Sequence, residues 1–312
     1  MGKKLISIVT PCYNESANAE LLYRKVKEIM TGLTNYDYEH IFIDNASKDE
    51  TVAILKSIAA KDRNVKIIVN SRNFGHIRSP FYALLQARGD AVISVVADFQ
   101  DPPEMISQFV KKWEEGFDIV IGVKSKSKEN FVMFSIRKLY YSLIKKFSEG
   151  VEQIKNFTGF GLYDKKVMDV LRQMKEPYPY FRGLISEIGF ERAEIEFVQP
   201  VRKKGKTKNN FYTLYDIAML GFVNYSKLPL RVSAFIGFIV SVISFVVAVC
   251  YFIYKIVYWD RFNVGTAPLV IGVFFFSAVQ LFFIGIIGEY IGAIYTQVKN
   301  RPLVIEKERI NF

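Results

Sequence analysis

Two hydrophobic rhythms alternate along the first 210 or so residues. Short, continuous runs rich in β-branched residues recur as LISIVTP, EHIFIDN, VKIIVNS, DAVISVVAD and FDIVIGVK. Between them lie longer segments whose apolar positions repeat every three to four residues: AELLYRKVKEIMTGL, ETVAILKSIAAK, SPFYALLQARG and PEMISQFVKKWEEG. The first kind predicts strands buried on both faces and the second predicts amphipathic helices. Strand and helix in strict alternation imply an α/β fold with a mainly parallel sheet covered by helices on both sides.

The pattern changes after residue 210. NFYTLYDIAMLGFVNYSKLPLR is apolar and aromatic with few charges, and residues 211–231 are expected to lie as an amphipathic helix in a membrane interface. From Val232 to Tyr254 there is no charged residue for 23 positions, and from Phe262 to Gly288 there is none for 27. Each run exceeds the ~20 residues a helix needs to cross a bilayer core. The short linker KIVYWDRF makes the pair a transmembrane hairpin, with spans at about 232–256 and 264–288 inside a unit of residues 232–296. A tail of residues 297–312 follows.

Composition agrees with this division: half the residues are hydrophobic and the mean hydropathy is +0.13. The net charge is +11, from 42 basic and 31 acidic residues. Its placement decides its meaning. RKKGKTK, Lys227 and Arg231 precede the hairpin, and Lys299, Arg301, Lys307 and Arg309 follow it. The excess of basic residues beside the spans puts residues 1–210 and the tail in the cytoplasm, in a multi-pass protein of the inner or plasma membrane. No nucleic-acid partner is expected. The apolar run at the N-terminus is only about five residues, too short for a signal peptide. Cys12 and Cys250 differ in surroundings and suggest no disulfide framework.

In parallel α/β sheets, ligands bind beyond the carboxyl ends of the strands. Those ends deliver Tyr13, Asn14 and Glu15, then Asp44, Asn45 and Ser47, then Arg72, Asn73 and Gly75, then Asp98, Gln100 and Asp101. No G-x-G-x-x-G or Walker lysine follows the first strand, which disfavours a dinucleotide or P-loop site. Carboxylate and amide oxygens at a strand end suit Mg²⁺ or Mn²⁺, a hard cation that keeps waters and shares phosphate oxygens with a substrate. The competing reading is that Asp98 and Asp101 cap a helix opening at Pro102 or Pro103.

SIVTPCYNE, IDNASKDET, SRNFG, ADFQDPPE, PYFRGLISEIGF, RKKGKTK, LPLR and IIGEYIGAIYTQVKNRP resemble, in order and spacing, the family 2 glycosyltransferases of GT-A fold, and among them the polyprenyl-phosphate glycosyltransferases. The resemblance implies a nucleotide-sugar donor, with a uridine diphosphate sugar favoured, and a polyprenyl phosphate acceptor such as undecaprenyl phosphate. It also implies a homo-oligomer such as a tetramer. Pro11, Tyr13, Glu15 and Asp44 would surround the base and ribose, with Asn45, Arg72 and Asn73 beside them. Asp98 and Gln100 match the metal-bearing motif. Arg202, Thr207 and Lys208 match a basic loop that closes over the phosphates, Arg182 is a candidate phosphate contact, and Glu187 a candidate contact to the sugar.

Three positions depart from the pattern: Val96 stands where relatives carry the first aspartate of Asp-x-Asp, Asn45 replaces an acid, and Gly159 replaces an aspartate proposed as catalytic base. A hydroxyl acceptor needs such a base. A phosphate monoester, with its second pKa near ~6, is mostly dianionic already. Gly159 is therefore compatible with inverting transfer to a lipid phosphate. A polysaccharide-forming transferase and a membrane scaffold without catalysis are the alternatives, and the identity of the sugar is not legible.

Overall fold

The computed structural model describes residues 2–125, 154, 156–200, 228–258 and 266–312. Strands β1 (Lys4–Cys12), β2 (Tyr36–Asp44), β3 (Val65–Asn70) and β4 (Ala91–Ser94) alternate with helices α1 (Ala19–Gly32), α2 (Thr51–Ala59), α3 (Gly75–Gln86) and α4 (Met105–Glu114). Then come β5 (Ile119–Lys124), β6 (Phe157–Asp164), α5 (Lys165–Met174), α6 (Phe181–Glu187) and β7 (Arg192–Phe197). Two long helices, α7 (Leu228–Val257) and α8 (Thr266–Val298), precede a final strand, β8 (Glu306–Ile310).

The strands form one sheet in the order β7-β5-β6-β4-β1-β2-β3-β8. β1 pairs in parallel with β2 and β4, β2 with β3, and β5 with β7. β6 runs antiparallel to both β4 and β5, and β8 antiparallel to β3. β1, β2, β3, β4, β5 and β7 therefore share one direction, and their carboxyl ends make a single rim. The two reversed strands were not legible as such: β6 is entered after residues outside the described set, and EKERI carries no β-rich run.

Period-two alternation divides the strand residues between two cores. Ile6, Ile8, Phe42, Ile67 and Ile93 join α1, α2 and α4 on one face. Val9, Ile41, Ile43, Ile68 and Val92 join α3, α5 and α6 on the other. Both faces are buried, as the unbroken apolar runs require. Close packing shows at Gly161, where a Cβ would lie 2.5 Å from the carbonyl oxygen of Val120.

α7 and α8 match the two apolar runs, and each contains a stretch long and apolar enough to cross a membrane, Leu230–Tyr254 and Gly272–Val298. Their large apolar side chains are exposed along the helices, Phe238, Phe245, Phe274 and Phe282 among them. α8 extends ten residues past Gly288, so at 33 residues it is ~50 Å long. Most of the expected interfacial segment, residues 211–227, lies outside the described residues.

Candidate active site

The rim of β1, β2 and β3 is tied together by polar side chains. After β1 the chain turns through Asn14 in the left-handed region (φ 56°). Its N–H donates to Ser47 Oγ at 2.8 Å, and its own Oδ1 accepts from the Lys48 N–H at 2.8 Å. The next two N–H groups donate to Thr51 Oγ1 and Asp49 Oδ2, at 2.8 and 3.1 Å. The loop carrying Tyr13 and Glu15 is thus bonded to the start of α2. Pro11, Tyr13 and Glu15 are half-buried on it.

Asn45, read above as a donor contact, is fully occupied as a cross-link. Its Nδ2 donates to Asn73 Oδ1 and to the Gly75 carbonyl, both at 3.0 Å. Its Oδ1 accepts from Asn70 Nδ2 at 3.2 Å and from the Phe74 N–H at 2.8 Å. Those four bonds exhaust the two donors and two lone pairs of an amide. An aspartate here could not donate either of the first two, which accounts for the departure at this position. Asn73 is exposed, and its Oδ1 also accepts from the Gly75 N–H at 2.8 Å. Arg72 is exposed, with its guanidinium 4.1 Å from the ring centroid of Phe74.

Asp44 ends β2 with no exposed surface. Oδ2 accepts from the Ser47 N–H at 2.9 Å, while Oδ1 is buried without a hydrogen-bond partner. Burial pushes its carboxyl above the usual range against the opposing hydrogen bonds from Ser47. An unused buried acceptor of this kind is a ready contact for a ligand hydroxyl or N–H.

The other half of the rim concentrates acid. Beyond β4, Phe99 adopts φ 62°, and this turn buries Asp98 and Asp101 at 7% and 5% exposure. Asp98 Oδ1 accepts from the N–H of half-buried Gln100 at 3.1 Å. Neither acid caps α4, whose N-cap is Glu104 without a side-chain bond, so the capping alternative falls. Asp101 instead lies close to the Val96 backbone and the Lys124 charge. Its carboxyl is pushed up to about 7, by burial first and by the neighbouring Asp98 charge, against the pull of Lys124 and the Val96 N–H. Sequence reasoning placed Asp101 on the rim but not among the metal ligands; its place three residues after Asp98 and before Pro-Pro was the available signal.

Among the described residues, no group of three or more His, Cys, Asp or Glu is arranged to hold a metal. Two buried carboxylates in electrostatic contact nevertheless fit a hard cation that takes its remaining ligands from water and a diphosphate. Gln100, with Asp98, is the other candidate ligand from the motif.

Gly159 faces this region from β6 with φ +99°, and a Cβ there would lie 3.4 Å from the Phe181 ring. Its carbonyl accepts from the buried Tyr163 hydroxyl at 2.9 Å. The Phe181 contact is an ordinary one, but the left-handed backbone would strain an aspartate here. Phe181 opens α6 and stacks edge-on to Tyr163 at 5.2 Å and to Phe81 at 6.0 Å. Arg182 is half-buried next to it, while Glu187 is exposed at the far end of α6. The exposed His76 in the first turn of α3 takes no part in these contacts. Arg202, Thr207 and Lys208 lie outside the described residues.

The profile of "Glycosyl transferase family 2" matches residues 7–171, and that of the "GtrB C-terminal hairpin" matches residues 228–294. The uncharacterized glycosyltransferase YkcC of Bacillus subtilis (strain 168) is 36% identical over 301 residues, covering 96% of this chain and 92% of its own. The SfII prophage-derived bactoprenol glucosyl transferase of Shigella flexneri is 34% identical over 305 residues, 97% of each chain. Among solved structures, glucosyl-3-phosphoglycerate synthase from Mycobacterium tuberculosis, in complex with phosphoglyceric acid, is similar at a TM-score of 0.48 and 16% identity, over 70% of this chain and 78% of that one. With a GT-A-like sheet, acids at its carboxyl-end rim and a matching hairpin after it, the chain belongs to glycosyl transferase family 2.

Proposed function

We propose that this glycosyltransferase moves a hexose from a nucleoside diphosphate donor, a uridine one by resemblance, to a polyprenyl phosphate at the cytoplasmic face of the membrane, with inversion. The observation that carries the reading is the union, in one chain, of an acidic strand-end rim with two uninterrupted apolar helices. Relatives named bactoprenol glucosyl transferase, similar over 97% of this chain, support both the acceptor and glucose as the sugar.

The donor's base and ribose lie on the β1–β3 rim. Tyr13 and Glu15 flank them, and the free Oδ1 of Asp44 accepts a hydrogen bond from the nucleoside. Asp98, with Asp101 and Gln100 beside it, would hold the divalent cation, which when bound supplies positive charge to a departing diphosphate. By the family resemblance, Arg202, Thr207 and Lys208 would supply positive charge to the same phosphates, and Arg182 offers a planar guanidinium to a phosphate of donor or acceptor. A lipid-phosphate oxygen attacks the anomeric carbon as the bond from that carbon to the diphosphate oxygen breaks. The acceptor is already anionic, so no proton has to be removed and Gly159 can stand where a base would otherwise be needed.

The sheet supports the membrane topology. β8 pairs with β3, so the residues after the hairpin lie on the same side as the catalytic domain, as an even number of crossings requires. The lysines and arginines around the spans support the cytoplasm as that side.

A panel of radiolabelled nucleotide sugars, offered with undecaprenyl phosphate and Mg²⁺ or Mn²⁺, tests the reading. The expected product is label in an organic-extractable, mild-acid-labile lipid. Label in insoluble polymer would support a polysaccharide-forming transferase, and no transfer from any donor would support a scaffold; either overturns the proposal.

A further inference from the structure

The route of the chain into and out of the hairpin carries a consequence for the acceptor. β7 and β8 are the two edge strands of the sheet. β7 runs with β1–β5, so the chain leaves the sheet toward the hairpin at Phe197, on the substrate rim. β8 runs against β3, so the returning chain enters the sheet at Glu306, paired with Asn70, on that same rim. The chain thus leaves the sheet before the hairpin and re-enters it afterwards at the substrate edge, one point at each side of an eight-stranded sheet ~34 Å wide.

The return connection is short and anchored. Only residues 299–305 separate α8 from β8, a reach of at most ~25 Å. The Ile305 carbonyl accepts from the Ser71 N–H at 2.9 Å, immediately before Arg72 and Asn73, and Val304 is buried at 5% exposure. Beyond it β8 is held less by apolar burial than by polar ties. Glu306 accepts from Tyr82 at 2.9 Å and pairs with Arg309, which also donates to Gln86 at 2.8 Å. Lys56 meets Glu308 at 2.6 Å, and Asn311 Nδ2 donates to the carbonyls of Ala59 and Val65, both at 2.9 Å. α2, β3 and α3 are all gripped.

We propose that residues 299–312 are a positioning strap that holds the substrate rim against the leaflet, acting on capture of a membrane-borne acceptor rather than on donor binding or chemistry. This rests on the lipid-phosphate reading above. A strand that only shields the edge of β3 would explain the pairing. It would not explain why the chain enters at the rim and fastens to the loop bearing Arg72. A short strap raises the effective concentration of rim and lipid head group, and a longer flexible one dilutes it.

The test inserts six Gly and Ser residues between Arg301 and Pro302, leaving β8 and its ties in place. Acceptors are undecaprenyl phosphate in proteoliposomes and a short-chain, water-soluble prenyl phosphate. For the insertion protein, KM for the bilayer acceptor should rise roughly three- to tenfold. Its donor KM, its rate on the soluble acceptor and its thermal midpoint should match the parent. Should the insertion disturb folding, Glu306→Gln with Arg309→Gln, which loosens the strap at its other end, should give the same split. Parent-like use of the bilayer acceptor, or an equal loss on both acceptors, would overturn the proposal. A parent inactive on both prenyl phosphates would instead remove the functional reading, and the strap with it.

Discussion

The two halves of the rim are built on different principles. From β1 to β3, amides and hydroxyls from Asn14, Asn45, Ser47, Thr51 and Asn70, joined by the carboxylates of Asp44 and Asp49, tie loop to loop, so shape is set by hydrogen bonds within the protein. From β4 to β6 the rim holds two buried carboxylates, Asp98 and Asp101, beside a glycine held at φ +99°. Neutral ties keep their geometry at any ordinary pH, whereas buried like charges are costly until a cation joins them. One half is a preformed cradle, and on the proposed function the other would be completed by a cation and the donor.

Substitutions can separate the halves. The largest effect should come from Asp98→Ala, which removes the proposed cation's anchor: transfer should fall by roughly 10²–10⁴ while the unfolding midpoint stays within a few degrees. Asn45→Ala should do the opposite, breaking four bonds and costing ~2–4 kcal/mol by chemical denaturation, with a raised donor KM.

His40 gives a pH handle beneath the cradle. It lies fully buried on β2 with Nε2 2.9 Å from Thr10 Oγ1, and burial lowers its pKa from 6.5 to about 3. The unfolded chain therefore binds the extra proton first. This part of the stability is present above pH ~6.5 and is lost as the pH falls toward 3, a few kcal/mol in all. His40→Gln should flatten that slope in unfolding titrations. Gly159→Asp should cost ~1–3 kcal/mol through its left-handed backbone and bring no gain in rate on a phosphate acceptor. The smallest change should be Glu187→Gln: an exposed residue at the end of α6 should alter transfer less than about twofold, and a larger loss would give it the sugar contact read from sequence.

What the sequence disclosed followed its physics. Strands buried on both faces leave unbroken apolar runs, so β1 to β5, their common direction and the rim at their carboxyl ends were legible. The helices α7 and α8 were legible because an apolar run of more than 20 residues without a charge has few readings other than a long helix. β8 was not, because EKERI is held by ion pairs and side-chain ties to residues more than 200 positions away. The cross-linking role of Asn45 was hidden for a related reason: its partners Asn70, Asn73, Phe74 and Gly75 meet it only once β2 and β3 pair. Asp101 was read as an alternative cap because the residues that decide otherwise, Val96 and Lys124, come together only in the folded sheet.

The central claim is that an acidic rim, completed by a divalent cation, transfers sugar to a lipid phosphate. It is tested most directly by following labelled glucose from UDP-glucose into undecaprenyl phosphate in proteoliposomes, for the parent and Asp98→Asn, with Mn²⁺ and after chelation. The parent with Mn²⁺ should form glycolipid and release one UDP per glucose transferred, and chelation or Asp98→Asn should each abolish most of it. Glycolipid formed at the parental rate by folded Asp98→Asn, or by the chelated parent, would contradict the account.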